Sequence, residues 1–167
     1  MSKIEKKHHS ILGIELSGDV DAFIDGMTTV GFRQMDCSDQ ERKQMLAKNY
    51  MLLGGYLDDM PCMMKLNLTP QSKVVYSVFV VLLHEYEELS EFQEAIERET
   101  DKMKEIYKQE PERHMAFPDG YYNLLRTDRG FTSVIGGHNI DGIMKPRVTL
   151  GFFDLENTAL NEKELCL

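Results

Sequence analysis

The chain has 167 residues, enough for one domain that buries its own core. Apolar residues make up 42% and charged residues 28%, which excludes a disordered chain, and no run approaches the ~20 apolar residues of a membrane-spanning helix. The formal charge of −9 argues against nucleic acid and anionic membranes as partners, because both are held through lysine and arginine.

In chain order, Ile11 to Leu16 predicts a short strand. Val20, Phe23, Ile24, Met27 and Val30 then share one face at helical spacing, so residues 19–30 read as the first main helix. Asp19 and Asp21 suit its positive end, and Gly31 suits its stop. Phe32 to Asp36 reads as a strand. Ser38 with Glu41 matches a capping box, so a short helix to Ala47 and a polar loop are both open there. Tyr50 to Leu57 and Cys62 to Leu68 read as strands joined by Asp58-Asp59-Met60-Pro61. Val74 to Leu83 is almost wholly apolar and is expected to be a central strand buried on both faces. Short turns between these three strands predict an antiparallel meander.

Ser90 and Gln93 form a second capping-box pattern opening the second main helix, about 90–108. Its inward stripe is Leu89, Phe92, Ile96, Met103 and Tyr107, and Pro111 bars its continuation. Residues 85–112 carry eleven carboxylates against four cations, so this helix is acidic on its outer side. Residues 109–122 read as a loop, and Tyr121 to Arg126 is ambiguous. Phe131 to Ile135 and Val148 to Phe153 read as strands. The expected fold class is α+β: an antiparallel sheet of about six to eight strands with two main helices, in a tandem helix-plus-strands layout. Residues 1–10 and 158–167 are expected to be flexible ends around a single domain, 11–157.

Gly13-Ile14-Glu15-Leu16, Gly18, Val20, Phe23 and Gly31-Phe32 resemble the opening of a group of small uncharacterised bacterial proteins associated with gut anaerobes. Gly54-Gly55-Tyr56, Cys62, Leu66 and Thr69-Pro70-Gln71-Ser72-Lys73-Val74-Val75-Tyr76 resemble the same group, as does the stretch from Val148 to Asn157. The resemblance implies no activity and no catalytic residues. The chain departs from it at His84 to Glu88 and in the charge of the second helix. In outline the layout is also similar to the helix-plus-sheet domains of outer-membrane assembly lipoproteins and β-lactamase inhibitor proteins, which implies a binding module.

His84-Glu85-Tyr86-Glu87-Glu88 is the most suggestive string, because H-E-x-x-H on a helix places two zinc ligands and a base on one face. Here Glu88 takes the place of the second histidine, and a third ligand is still needed, so the string reads first as a solvated edge. Gly136-Gly137-His138-Asn139-Ile140-Asp141-Gly142 presents His138 and Asp141 in a loop that equally suits turn chemistry. Asp19-x-Asp21 lacks the later oxygen ligands of a calcium loop. Cys37, Cys62 and Cys166 have no CxxC spacing and suit a reducing compartment. Lys3, Lys6 and Lys7 before the short Ile11 to Leu16 run do not make a signal peptide, so a cytoplasmic location is expected.

No metal, cofactor or catalytic set is therefore assigned from sequence. The leading expectation is a non-catalytic module that binds another protein or itself as a homodimer. A small metal-dependent hydrolase using His84, Glu85 and Glu88, or a site at His138 and Asp141, is the first alternative. A structural or prophage-type accessory protein is the second. Eleven methionines, among them Met35, Met45, Met51, Met60, Met63 and Met64, serve either as core filling or as an adaptable contact surface.

Overall fold

The computed structural model describes residues 8–116, 120–137 and 147–166. Among these the fold is α+β, with a two-stranded ribbon, an eight-stranded antiparallel sheet and four helices. The ribbon pairs β1 (Ser10–Ile11) with β2 (Ile14–Glu15) across a two-residue turn. Leu12 and Gly13 both take positive φ in that turn, 52° and 80°, so the expected single strand is folded back on itself. Next come α1 (Val20–Thr29), β3 (Arg33–Gln34) and α2 (Asp39–Ala47). Asp19 caps α1 by accepting from the Ala22 amide. The capping box of Ser38 and Glu41 is fully formed, which decides for a helix at α2.

The first meander is β4 (Tyr50–Leu57), β5 (Met60–Leu68) and β6 (Val75–Leu82). Then follow α3 (Leu89–Tyr107), β7 (Glu112–Ala116), β8 (Gly120–Arg126), β9 (Gly130–Gly137), β10 (Arg147–Asp154) and α4 (Leu155–Leu165). The strand order is β3-β4-β5-β6-β10-β9-β8-β7. It reads the same from both edges: each half is a main helix followed by four strands, with α2 inserted between β3 and β4 in the first, and the halves meet at the β6–β10 pair. The central pairing is symmetric about Phe79 opposite Gly151, with Val80 opposite Leu150 and Val78 opposite Phe152. A two-fold axis normal to a sheet returns each face to itself. The two main helices, one per half, therefore lie on one face.

That covered face holds the core. Strand residues Leu53, Met64, Leu66, Val78, Val80, Val134, Leu150 and Phe152 join Phe23 and Met27 of α1 and Phe92 and Ile96 of α3 in one cluster. Ile96 and Phe92 pack so closely over Gly136 that a β-carbon there would stand 2.3 Å from the Ile96 side chain. The sheet edges are protected by brevity at β3, only two residues long, and by charge at β7, which carries Glu112, Arg113 and His114.

Four further expectations differ from the structure. Among the described residues there are four helices where two main ones were expected: α2 settles the alternative left open there, and α4 occupies the segment expected to fray. Its anchors are polar. Asp154 caps it by accepting from the Asn157 amide, Asn157 Nδ2 donates to the Leu16 and Val75 carbonyls, and Glu164 accepts from the Gln71 and Ser72 amides. The Ser72 hydroxyl bond leads in holding the Glu164 carboxyl below its ordinary range. Second, residues 8–10 are pinned: the buried Asp154 carboxylate accepts from the His9 amide at 2.6 Å and meets the His8 ring at 3.0 Å. Third, α3 starts at Leu89 with Glu88 as cap residue and no side-chain cap, so the Ser90 box is not used. Fourth, most of the expected 109–122 loop is strand, because the polar β7 segment finds its ladder along β8.

Candidate functional site: the open face of the sheet

Strand residues alternate between faces, and the register sorts them. On the covered side the residues of the central strands, such as Leu66, Val80, Val134 and Leu150, are buried. On the other side Tyr50, Leu52, Met63, Phe79, Val81, Tyr122, Phe131, Ile135 and Phe153 are only half-buried, and Tyr56 is 69% exposed. The expectation that β6 is buried on both faces is therefore met on one face only.

The centre of this open face is aromatic. Phe131 and Phe153 stack with centroids 4.4 Å apart, and Phe79 meets Phe153 edge-on at 5.4 Å. Gly151 lies beneath them: a β-carbon there would stand 3.3 Å from both Phe79 and Phe153 and 2.7 Å from the Ser133 hydroxyl. The missing side chain lets the rings close over the strand, which buries Ser133 and Ser77 below them. Around this centre Lys65 Nζ lies 5.1 Å from the Tyr50 ring, and His114 stacks on Tyr122 at 4.8 Å.

The charges on this face differ in sign from those of the chain as a whole. Register puts Arg33, Lys65, Arg126 and Arg147 on the open side, with Glu112 at its edge and Glu85 just beyond β6. Arg147 pairs with Glu85 at 3.1 Å, and Arg126 with Glu112 at 3.3 Å. His114 and then Arg126 hold the Glu112 carboxyl below its ordinary range. Four cations against two carboxylates leave this face net positive on a chain of charge −9.

The residues singled out from sequence do not converge. His84 is exposed and edge-on to the Tyr86 ring at 4.6 Å, Glu85 turns to Arg147, and Glu88 is the cap residue of α3. Residues 83–86 have no helical turn, so the face that would align ligands at positions one and five does not exist. Among the described residues no group of three or more His, Cys, Asp or Glu is placed to hold a metal ion. His138 and Asp141 lie outside the described residues. Burial pushes the Cys62 thiol up to about 11, so it stays protonated, while Cys37 and Cys166 are exposed and free. The methionines divide: Met51 and Met64 fill the core, Met63 lies on the open face and Met35 is 44% exposed.

Reasoning from sequence missed Phe79, Phe131 and Phe153 as surface residues. Their one visible signal was the surplus of apolar residues in β6 and β10 over what a one-sided sheet needs. Among the described residues no helix is long and apolar enough to cross a membrane. No protein-family model, no curated protein and no solved structure matches the chain.

Proposed function

We propose that the chain is a non-catalytic binding module that docks a partner protein on the open face of its sheet. The observation that carries this reading is the half-buried aromatic centre of Phe79, Phe131 and Phe153, which neither main helix covers. Contiguous apolar surface rimmed by polar groups is the usual mark of a docking site. Aromatic anchors flanked by arginine are also the residue types that dominate binding energy at interfaces.

The partner's chemistry follows from the rim. Arg33, Lys65, Arg126 and Arg147 call for a surface with an apolar ridge flanked by carboxylates. A second copy is the weaker occupant. Two open faces would bring like-charged rims together, and an open face against the acidic outer side of α3 would make a head-to-tail contact that does not close.

The test uses three full-length proteins: wild type, the open-face variant Phe79→Glu with Phe153→Glu, and a control carrying Glu94→Lys and Glu105→Lys on α3. Each is immobilised and exposed to native lysate at low and high salt, and each is run in sedimentation at rising concentration. The reading expects a protein held by wild type and control, lost from the open-face variant and released by salt. A partner held equally by all three would sink it. A concentration-dependent dimer abolished only in the open-face variant would make the occupant a second copy and overturn the choice of partner.

A further inference from the structure

On the opposite, helix-covered side lies a cleft that the docking reading does not use. It opens between α3 and the tips of two hairpins, the β1–β2 turn at Leu12 and the β4–β5 turn at Asp58, and has a volume of about 230 Å³. Its floor is apolar, formed by Phe32, Val80, Met103, Leu150 and Phe152. At its mouth Lys102 Nζ bridges two carboxylates, Asp58 Oδ2 at 2.8 Å and Glu99 Oε1 at 3.2 Å.

We propose that this cleft binds a small primary amine carrying an apolar group about the size of one aromatic ring. Size sets the body of the ligand. An apolar cavity of ~150 Å³ holds benzene, and drug-sized ligands occupy about 300 Å³ or more, so 230 Å³ suits one ring and a short chain. Charge sets the head. The cleft holds two carboxylates and one ammonium, and Lys102 engages one oxygen of each carboxylate. A carboxylate offers about four acceptor positions, so a second ammonium finds acceptors on Asp58 and Glu99 from within the cleft, while Arg98 lines the adjoining pocket behind these residues and not the cleft itself. A ligand carboxylate would add a third negative charge to the same mouth.

Glu99 gives the site its selectivity. Its residue is 4% exposed, whereas the Asp58 side chain is 72% exposed. A charge-assisted bond to Glu99 forms where water competes least, so its strength exceeds that of the Asp58 bond. The entrance is also apolar where the chain could have been polar: Leu12 is 46% and Ile106 67% exposed beside it. Leu12 holds that place at φ 52°, in the left-handed region that branched side chains avoid.

Three probes of one shape separate head from body: 2-phenylethylamine, 2-phenylethanol and 3-phenylpropionate, titrated calorimetrically into the full chain at neutral pH and low salt. The amine is expected to bind roughly tenfold more tightly than the alcohol, the ratio that one charge-assisted hydrogen bond supplies, and the carboxylate most weakly. Glu99→Gln should bring amine and alcohol to within about twofold of each other while leaving the alcohol's affinity in place. Met103 supplies a readout without substitution: in the unaltered chain its methyl resonance should move with the amine at concentrations where the carboxylate leaves it still. Equal binding of all three, tighter binding of the carboxylate, no binding, or a Met103 methyl unmoved by the amine would each overturn the assignment. The cleft and the open face lie on opposite sides of the sheet, so this result and the docking test stand independently.

Discussion

The centres of the two faces of one sheet carry nearly the same apolar residue types and have different fates. On the covered face Val80, Leu150, Val134 and Phe152 disappear under α1 and α3. On the open face Phe79, Val81, Phe131, Ile135 and Phe153 come from the same strands and stay half-exposed. Apolar content does not separate them. What separates them is where the two halves send their helices, and the symmetry of the β6–β10 junction sends both main helices to one side. A one-sided core leaves the other face to whatever docks there.

The sharpest way to break this contrast is a pair of ring deletions. Phe92→Ala, on the covered side, should cost about 3–5 kcal/mol, as expected for a fully buried ring whose cavity does not collapse. Phe79→Ala should cost about 1 kcal/mol, because its ring is only half-buried. Chemical denaturation of the two variants measures both. Equal losses would mean that the open face is part of the core and has no need of a partner.

Adjacent glycines sharpen the contrast at finer scale. Gly136 lies under Ile96 and Phe92, so Gly136→Ala should cost about 1–3 kcal/mol by overpacking. Gly137 has nothing within 4 Å of where its β-carbon would be, so Gly137→Ala should fall within about 0.5 kcal/mol of wild type.

A pH effect belongs to the covered face. His9 lies buried with its Nε2 at 2.8 Å from the Thr132 hydroxyl and its ring stacked on Tyr107 at 5.7 Å. Burial pushes its pKa below the ordinary 6.5, against the pull of Asp154, while Arg129 adds to the lowering. The neutral ring is therefore the folded form, and its stabilisation is complete above pH 6.5. As pH falls below that value the unfolded chain takes up the proton first, and stability drops until the lowered folded value is passed. Thermal melts should show this loss, and His9→Gln should flatten it. A further small effect is at a hairpin tip. Asp58 and Asp59 both take positive φ, 49° and 64°, so Asp59→Gly should stabilise by about 0.5–1 kcal/mol by relieving that turn. A higher midpoint in the same denaturation series checks it.

Much of the fold was legible. Strands β4, β5, β6, β9 and β10 follow from alternation, β-branched content and turn residues. Helix α1 follows from its stripe, and α2 from its capping box. Helix α4 was not legible, because Asn157 and Glu164 hold it through backbone amides and carbonyls, and hydrophobic periodicity carries no record of such bonds. Nor was β7, since a charged edge strand has the composition of a loop until β8 supplies its ladder. The candidate site was less legible still. A run such as Val74 to Leu83 reads alike whether its second face meets a helix or a partner.

The sequence by itself determined the fold class, the meander, most element boundaries and the acidity of α3, because each depends on neighbours within a few turns of chain. Only the tertiary structure decided that one face of the sheet stays open, that its rim is basic, and that Asp58, Glu99 and Lys102 meet over an apolar cleft. Those features rest on contacts between residues far apart in sequence, 44 for Asp58 with Lys102 and 68 to 76 along the β6–β10 pairing, set by that pairing and by the route of each hairpin. Local propensity has no access to either.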